Sequence, residues 1–229
     1  MAKPKRVTRK QLLKEPDEFI TTTGRIIQWG QQHARQLTIA GGIIVVLLVI
    51  VTAYRYYDNW VENNAFVLLN EVVTKYETNK TSSDVQMAYQ STKEDFENLI
   101  QKYDSTDGGQ LAMFVFAGIS NDAGDPDRAI ELYEAGLKYF KSDPTYQSFI
   151  LSGLGYAYEK NQDLKKAVSY FQKIADGSDS TVKDLALFNL GRLYQQLGDT
   201  EKSKAAYTRL TTEFADSIYY EVAKEKVKG

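Results

Sequence analysis

The chain has no cysteine and only one histidine, His33, among its 229 residues. Without cysteine it forms neither a disulfide nor a thiolate metal site, and it offers no thiol for a lipoprotein anchor. Because His33 precedes residue 37, the stretch after residue 54 has neither histidine nor cysteine, which excludes a Ser-His-Asp or Cys-His catalytic centre there. No phosphate-binding glycine loop and no paired carboxylates stand out. We therefore expect no enzyme, no metal, no cofactor and no small-molecule substrate.

Proline is also scarce, since only Pro126 and Pro144 follow residue 54. In that stretch apolar residues recur at intervals of three and four without a convincing alternation, and this spacing is typical of helices. The stretch is long enough to form one domain with a sizeable core. The sequence therefore predicts an all-α fold.

One long uncharged run, LTIAGGIIVVLLVIVTAY, covers residues 37–54 between Arg35 and Arg55. As a helix it would be roughly 27 Å long, close to the hydrocarbon thickness of a bilayer. A buried core helix usually keeps a polar face, whereas this run offers only Thr38 and Thr52. A cleaved signal peptide would have a shorter apolar core and small residues after it, but TAYRYYDNW follows here. We predict an uncleaved transmembrane helix.

The charge differs between the two sides of this run. Residues 1–36 carry eight lysines and arginines against three acidic residues, and the other 20 basic and 27 acidic residues follow the run. The positive-inside rule then places the N-terminus in the cytoplasm and the C-terminal part across the membrane. We expect the basic residues between positions 3 and 14 to meet anionic lipid head groups rather than nucleic acid.

Three segments after the run share a small residue, a second small residue 12 positions later and an aromatic 16 positions later. The copies are Ala117, Ala129 and Tyr133; Gly155, Ala167 and Phe171; and Gly191, Ser203 and Tyr207. In the second and third copies the first residue lies in an L-G-x-x-Y motif. This pattern resembles the tetratricopeptide repeat, which pairs two helices within about 34 residues. The resemblance implies a helical solenoid of about three repeats with flanking helices.

Turn residues separate the predicted helices. Asp125 and Pro126 are suited to begin a helix, and Gly198 with Asp199 ends one helix and begins another. The predicted parts are a basic segment over 1–36, a transmembrane helix over 37–54, membrane-proximal helices over 55–109 with a polar break at 79–84, repeats over 110–217, and a capping helix over 218–229. We expect the capping helix to turn Ile218, Tyr219, Val222 and Ala223 to one side.

In tetratricopeptide repeats the first helix of each pair lines a concave groove. Aligning the three copies gives a groove line whose candidate binding residues are Phe114, Phe149, Tyr156, Phe188, Arg192 and Gln195. The Lys/Asn set that clamps a C-terminal carboxylate in some repeat co-chaperones is missing from this line. Two interpretations stay open: the rings pack against flanking helices as core, or they anchor an apolar or extended polypeptide.

The order of parts resembles the YfgM-like ancillary subunits of the Sec translocon. The likeness is carried by an aromatic and basic stretch, one span, an aromatic exit and then the repeats; the two flanking stretches read DEFITTTGRIIQWGQQHARQ and YRYYDNW. The resemblance implies a bacterial inner-membrane protein whose periplasmic domain contacts the Sec translocon, a periplasmic chaperone or an exported client. An alternative is a tethered scaffold or assembly factor of another envelope complex.

Overall fold

The computed structural model describes residues 18–140, 143–179 and 181–228, with side chains from residue 22 onward. The basic residues predicted to meet lipid, between positions 3 and 14, lie outside this part of the chain. Within the described residues every regular element is an α-helix, as the apolar spacing predicts. The ten helices seen there are α1 Glu18–Gln32, α2 Ala34–Ser82, α3 Val85–Lys102, α4 Asp107–Asp122, α5 Pro126–Gly136, α6 Pro144–Lys160, α7 Leu164–Asp176, α8 Lys183–Gln196, α9 Thr200–Glu213 and α10 Tyr220–Lys228.

The chain divides into two compact units, residues 1–58 and 59–229. In the first unit the side chains of residues 37–54 are all exposed. The hydroxyls of Thr38 and Thr52 donate to backbone carbonyls one turn earlier, at 2.8 and 2.7 Å. Hydrogen bonds within the helix satisfy such hydroxyl groups in an environment without water. The helix is long and apolar enough to cross a membrane.

The second unit contains three helical hairpins at the predicted repeat spacing. They are formed by α4 with α5, α6 with α7, and α8 with α9. Their buried side chains join a single apolar cluster, to which the later part of α2, helix α3 and helix α10 also contribute. The second unit is therefore a helical solenoid with flanking helices at both of its ends.

The turns inside the three hairpins share one geometry, in which a left-handed residue precedes an aspartate. The left-handed residues are Gly124, Gln162 and Gly198, with φ of 86°, 64° and 77°. The aspartates are the N-caps Asp125, Asp163 and Asp199, and each accepts a hydrogen bond from the N–H three residues later. Glycine adopts this conformation without steric cost, whereas other residues do so rarely. The middle hairpin therefore carries a strained turn at Gln162.

Gln162→Gly is expected to raise the free energy of unfolding by about 0.5–1 kcal/mol, because it removes the strain of the left-handed backbone. Gly198→Ala places the opposite change in the equivalent turn, where no neighbouring atom lies within 4 Å of a new Cβ. That variant should lose about 1 kcal/mol for the same backbone reason. Urea unfolding followed by circular dichroism measures both, and a destabilised Gln162→Gly protein would contradict the argument.

The repeat pattern has a direct packing explanation in the second and third hairpins. The face of Gly155 lies against the Phe171 ring, so that an added Cβ would come within 2.6 Å of it, and Gly191 lies equally close to Tyr207. Each aromatic stands 16 residues after its glycine, as the sequence pattern has it. In addition, the Ser203 hydroxyl donates to the Gly191 carbonyl at 2.7 Å. Small residues therefore let the two helices of a hairpin approach until the aromatic ring fills the gap.

The first hairpin differs from the other two in this packing between small residue and aromatic ring. Ala117 replaces the glycine and is fully buried. The ring of Tyr133 lies over Gly153 of the next hairpin, where a Cβ would overlap the ring. Tyr133 is 6% exposed, and burial raises its pKa to about 12. This aromatic therefore joins two successive hairpins rather than filling only its own.

The N-terminal flank is fastened to the repeats through the start of α4. The Glu62 carboxylate on α2 accepts hydrogen bonds from the N–H groups of Asp107 and Gly108 at 3.1 and 2.7 Å. A carboxylate suits the positive end of a helix dipole. Gly108 also lies against Ala65, where a Cβ would come within 2.8 Å of the alanine methyl. Helix α2 continues to Ser82, so the predicted polar break at residues 79–84 is wrong in its first four positions.

The C-terminal flank also differs from the prediction at its start. Helix α10 begins at Tyr220, because residues 217–219 form a turn in which the Ser217 hydroxyl donates to Asp184 at 2.6 Å. Helical periodicity therefore does not apply to Ile218, which is 85% exposed. Val222 is also exposed, and Ala223 is the buried residue of α10. The expectation that Ile218 and Val222 share an inner face with Ala223 is wrong.

Candidate functional site

The predicted groove line lies on the first helices of the three hairpins. Phe114 is on α4, Phe149 and Tyr156 are on α6, and Phe188, Arg192 and Gln195 are on α8. Their surroundings differ strongly along the line. The end near α4 is aromatic and open, the centre is a hydrogen-bonded polar cluster, and the end near α10 is covered by the chain itself.

At the open end, Phe114 and Phe149 are the apolar members of the line. Phe114 is half-buried and meets the Tyr133 ring edge-on, with centroids 5.8 Å apart. Phe149 is 39% exposed, which leaves a large part of its ring accessible to a partner. Phe114 thus belongs partly to the core, whereas Phe149 fits the interpretation of a surface anchor.

At the other end, Phe188 is stacked by Tyr219 from the turn before α10, with ring centroids 4.6 Å apart. The ring also meets Tyr207 edge-on, with centroids 6.1 Å apart. Phe188 therefore packs against two rings of its own chain. Tyr219 of the C-terminal turn therefore covers one face of this ring.

The centre of the line is a polar cluster that ties α6 to α8. Arg192 donates through both terminal nitrogens to the Glu159 carboxylate, and one of these nitrogens also donates to Asn189 Oδ1 at 2.8 Å. The Asn189 amide in turn donates to the Tyr156 hydroxyl at 2.9 Å. Hydrogen bonding to Glu159 raises the pKa of Arg192, and burial raises the pKa of Tyr156. Arg192 is therefore held by its own chain.

Asn189 is the residue of this cluster that sequence reasoning missed. It is 3% exposed, and its amide also donates to the Leu185 carbonyl at 2.9 Å. A buried amide needs such partners, because an unsatisfied polar group in the interior is costly. Its signal in the sequence is positional, since Asn189 stands one helical turn before Arg192 and 33 residues after Tyr156. Gln195, by contrast, is exposed.

A second feature that the sequence did not indicate is an aromatic cleft beside the open end of the groove line. It has a volume of about 370 Å³. Its lining residues are Phe66, Asp107, Gln110, Leu111, Tyr139, Phe140, Asp143 and Tyr146. Phe66, Tyr139 and Tyr146 are 43%, 43% and 46% exposed, and Phe140 stacks on Tyr146 with centroids 5.0 Å apart. The cleft combines side chains of α2, α4 and α6, which are far apart in sequence.

Comparison with known proteins agrees with the hairpin architecture. The model of a family described as tetratricopeptide repeat-like domain matches residues 28–227. The chain belongs to this family. No curated protein matches it in sequence. The repeat fold is typically a non-catalytic scaffold for protein–protein interaction, and this is the level of function that the family supports.

Solved structures of low sequence identity share the fold of this tetratricopeptide repeat-like protein. A tetratricopeptide repeat protein from Parabacteroides merdae has 15% identity and a TM-score of 0.54, and the match covers 70% of this chain and 59% of that one. A putative kinesin light chain with TPR-like repeats from Podosopora anserina has 16% identity and a TM-score of 0.53, with coverages of 69% and 83%. BtubC (BKLC) from P. vanneervenii has 15% identity and a TM-score of 0.54, with 73% of each chain covered. The chain thus spans about three fifths of the first of these proteins.

Proposed function

We propose that this protein is a membrane-anchored protein-interaction module that serves as an ancillary component of the Sec translocon. In this proposal one helix anchors the chain in a bacterial inner membrane, the N-terminus is cytoplasmic, and the repeats contact exported polypeptides or a partner chaperone in the periplasm. The observation that carries the proposal is an unbroken exposed apolar helix surface in the same chain as a repeat array.

The anchor is supported by the exposure of its apolar side chains. Ile43, Leu48 and Val49 are 56%, 61% and 62% exposed, and every other residue of 37–54 is exposed as well. Side chains of this kind gain about 0.8 kcal/mol for each methylene group that leaves water. A helix with such a surface on all sides is stable in hydrocarbon and unfavourable in water. The excess of basic residues before the run supports a cytoplasmic N-terminus.

The contact with polypeptides is supported by the open end of the groove line. Phe149 and the aromatic cleft lie on neighbouring helices and present several exposed rings. Aromatic side chains contribute much of the energy of protein interfaces at low conformational cost. A surface of this kind suits chains that expose apolar residues before they fold, which is the state of exported proteins near a translocon.

Site-specific photocrosslinking in membranes tests this function. A photoreactive residue at Gln195, which is exposed on the groove line, should trap Sec translocon subunits or unfolded exported polypeptides. The same residue at Lys165, which is exposed on α7, is the control and should not trap them. Phe149→Ser should lower the yield at Gln195 by about tenfold if the ring is an anchor.

Leu197→Ser is the matched variant, because Leu197 is 41% exposed at the turn after α8. It should leave the yield unchanged. If Gln195 captures only one folded envelope complex, the translocon function is wrong and the tethered scaffold is favoured. If Phe149→Ser keeps the full yield and stability, the ring has no part in recognition.

A further inference from the structure

Among the described residues that line the aromatic cleft, the charged ones are acidic, and they stand beside exposed rings. Asp107 and Asp143 line it, and no lysine or arginine is among the described residues that do. Asp143 caps α6 through Oδ1, which accepts from the N–H groups of Thr145 and Tyr146 at 2.9 and 3.2 Å. The carboxylates therefore stand beside the rings of Tyr139 and Tyr146 rather than in a separate acidic patch.

We propose that this cleft binds an extended polypeptide segment in which an aromatic or large apolar residue is flanked by lysine or arginine. The inference rests on the proposed function, because it names the kind of segment that the repeats hold. Its volume of about 370 Å³ lies near the lower end of the roughly 300–1,000 Å³ typical of ligand pockets, which suits one large side chain with its neighbouring backbone.

Each part of this segment has a partner in the cleft. The apolar side chain inserts among the rings of Phe66, Tyr139 and Tyr146, which are partly exposed. The basic flanks pair with Asp107 and Asp143, and a cation above an aromatic face adds further attraction. Anionic lipid head groups and acidic segments are disfavoured, because the two carboxylates repel them. The acidic excess after residue 54 also favours cationic segments at longer range.

Fluorescence anisotropy with three labelled heptapeptides tests the inference on the full chain in a non-ionic detergent. The probes are Gly-Ser-Lys-Phe-Lys-Ser-Gly, the same peptide with both lysines replaced by glutamate, and the same peptide with phenylalanine replaced by serine. We expect the first to bind about tenfold more tightly than either of the others, a difference of about 1.4 kcal/mol. Its advantage over the glutamate peptide should shrink as salt is added.

Variants assign the preference to the cleft. Asp143→Asn keeps a good N-cap, so it should abolish most of the preference for lysine flanks without unfolding α6. Asp199→Asn makes the same change at the N-cap of α9 and should leave the preference intact. Tyr139→Ser should lower the preference for phenylalanine over serine by about tenfold. Leu197→Ser should not change it.

The outcomes separate this inference from the proposed function. Equal affinity for the three peptides, or a preference that Asp143→Asn and Asp199→Asn reduce alike, overturns the cleft as the binding site. Crosslinks from Gln195 to translocon subunits or exported chains would stand in that case. Conversely, a cleft-dependent preference together with crosslinks to a single folded complex would reject the translocon while keeping the peptide chemistry.

Discussion

Gly155→Ala is expected to lower the free energy of unfolding of the repeat domain by about 2 kcal/mol. The new Cβ would lie 2.6 Å from Cε2 and 2.7 Å from Cζ of Phe171, well inside van der Waals contact. Overpacking in a tight core typically costs about 1–3 kcal/mol. Replacing a mid-helix glycine with alanine returns only about 0.5–1 kcal/mol through helix propensity, so the steric cost should prevail.

The cost of overpacking should lie in the upper part of its usual range, because Phe171 has little room to move. It is fully buried, and the Tyr156 ring meets it edge-on with centroids 5.2 Å apart. Displacing Phe171 would therefore also disturb Tyr156 and the hydrogen bond that Tyr156 accepts from Asn189. Gly191→Ala should behave in the same way, since Tyr207 is 2% exposed and lies equally close to the glycine.

Urea unfolding of the full chain in detergent, followed by circular dichroism, measures these changes. The matched control is Gly118→Ala, which lies inside α4 with Tyr133 Oη as its nearest neighbour at 3.5 Å, an ordinary contact. It should be neutral or stabilise by up to about 1 kcal/mol. If Gly155→Ala matches Gly118→Ala in stability, the ring does not hold the hairpin together in the way described.

These glycines show how much of the fold the sequence could predict. The offset of 16 residues corresponds to a glycine–aromatic contact in the second and third hairpins, and the offset of 12 corresponds to the Ser203–Gly191 hydrogen bond of the third, because the partners lie on helices joined by a short turn. The turn aspartates are equally local, since each caps the helix that it begins. Short-range contacts of this kind recur between copies of the motif, and the recurrence makes them predictable from the sequence.

Contacts between hairpins were not predictable in the same way. The pairing of Tyr133 with Gly153 and the capping of α4 by Glu62 depend on how separate helices meet in space. The aromatic cleft is a stronger example, since it combines Phe66, Leu111 and Tyr146 from three helices. Phe66 and Tyr146 belong to no local motif, so only the assembled structure brings the residues of the cleft together.

The groove line shows how far the sequence could predict the functional residues. Equivalent positions in the repeat alignment have different roles, because their neighbours differ: Phe149 is exposed, whereas Phe188 is stacked by Tyr219. The sequence identified both aromatics but offered no means of telling an anchor from a packed ring. Arg192 presents the same ambiguity for charge, and its ion pair supplies a direct test.

Glu159→Ala is expected to lower the free energy of unfolding by about 2 kcal/mol. Removing one partner of a fully buried ion pair costs about 3–5 kcal/mol, because it leaves a charge without compensation. Here the side chains of Arg192 and Glu159 remain 32% and 20% exposed, so water screens part of that cost. The substitution also affects Asn189. Among the described residues of this cluster, its Oδ1 would be the acceptor left to the guanidinium.

A double-mutant cycle with Glu159→Ala and Arg192→Ala measures the pair itself. We expect a coupling energy of about 1–2 kcal/mol, within the range for contacting residues in one hydrogen-bond network. The control cycle uses Arg209 and Glu213, which are one turn apart on α9 with a 2.7 Å contact and side chains 35% and 42% exposed. That pair should couple by about 0.5 kcal/mol or less.

The size of this coupling decides what Arg192 is for. A strong coupling means that a ligand carboxylate would have to displace Glu159, so the guanidinium positions α6 against α8 and leaves recognition to the aromatic end of the line. The lysine-flanked peptide should then bind Arg192→Ala as tightly as the parent protein. If the coupling is no larger than that of Arg209 with Glu213, Arg192 is free to exchange partners, and the prediction that it binds a ligand in the groove is favoured.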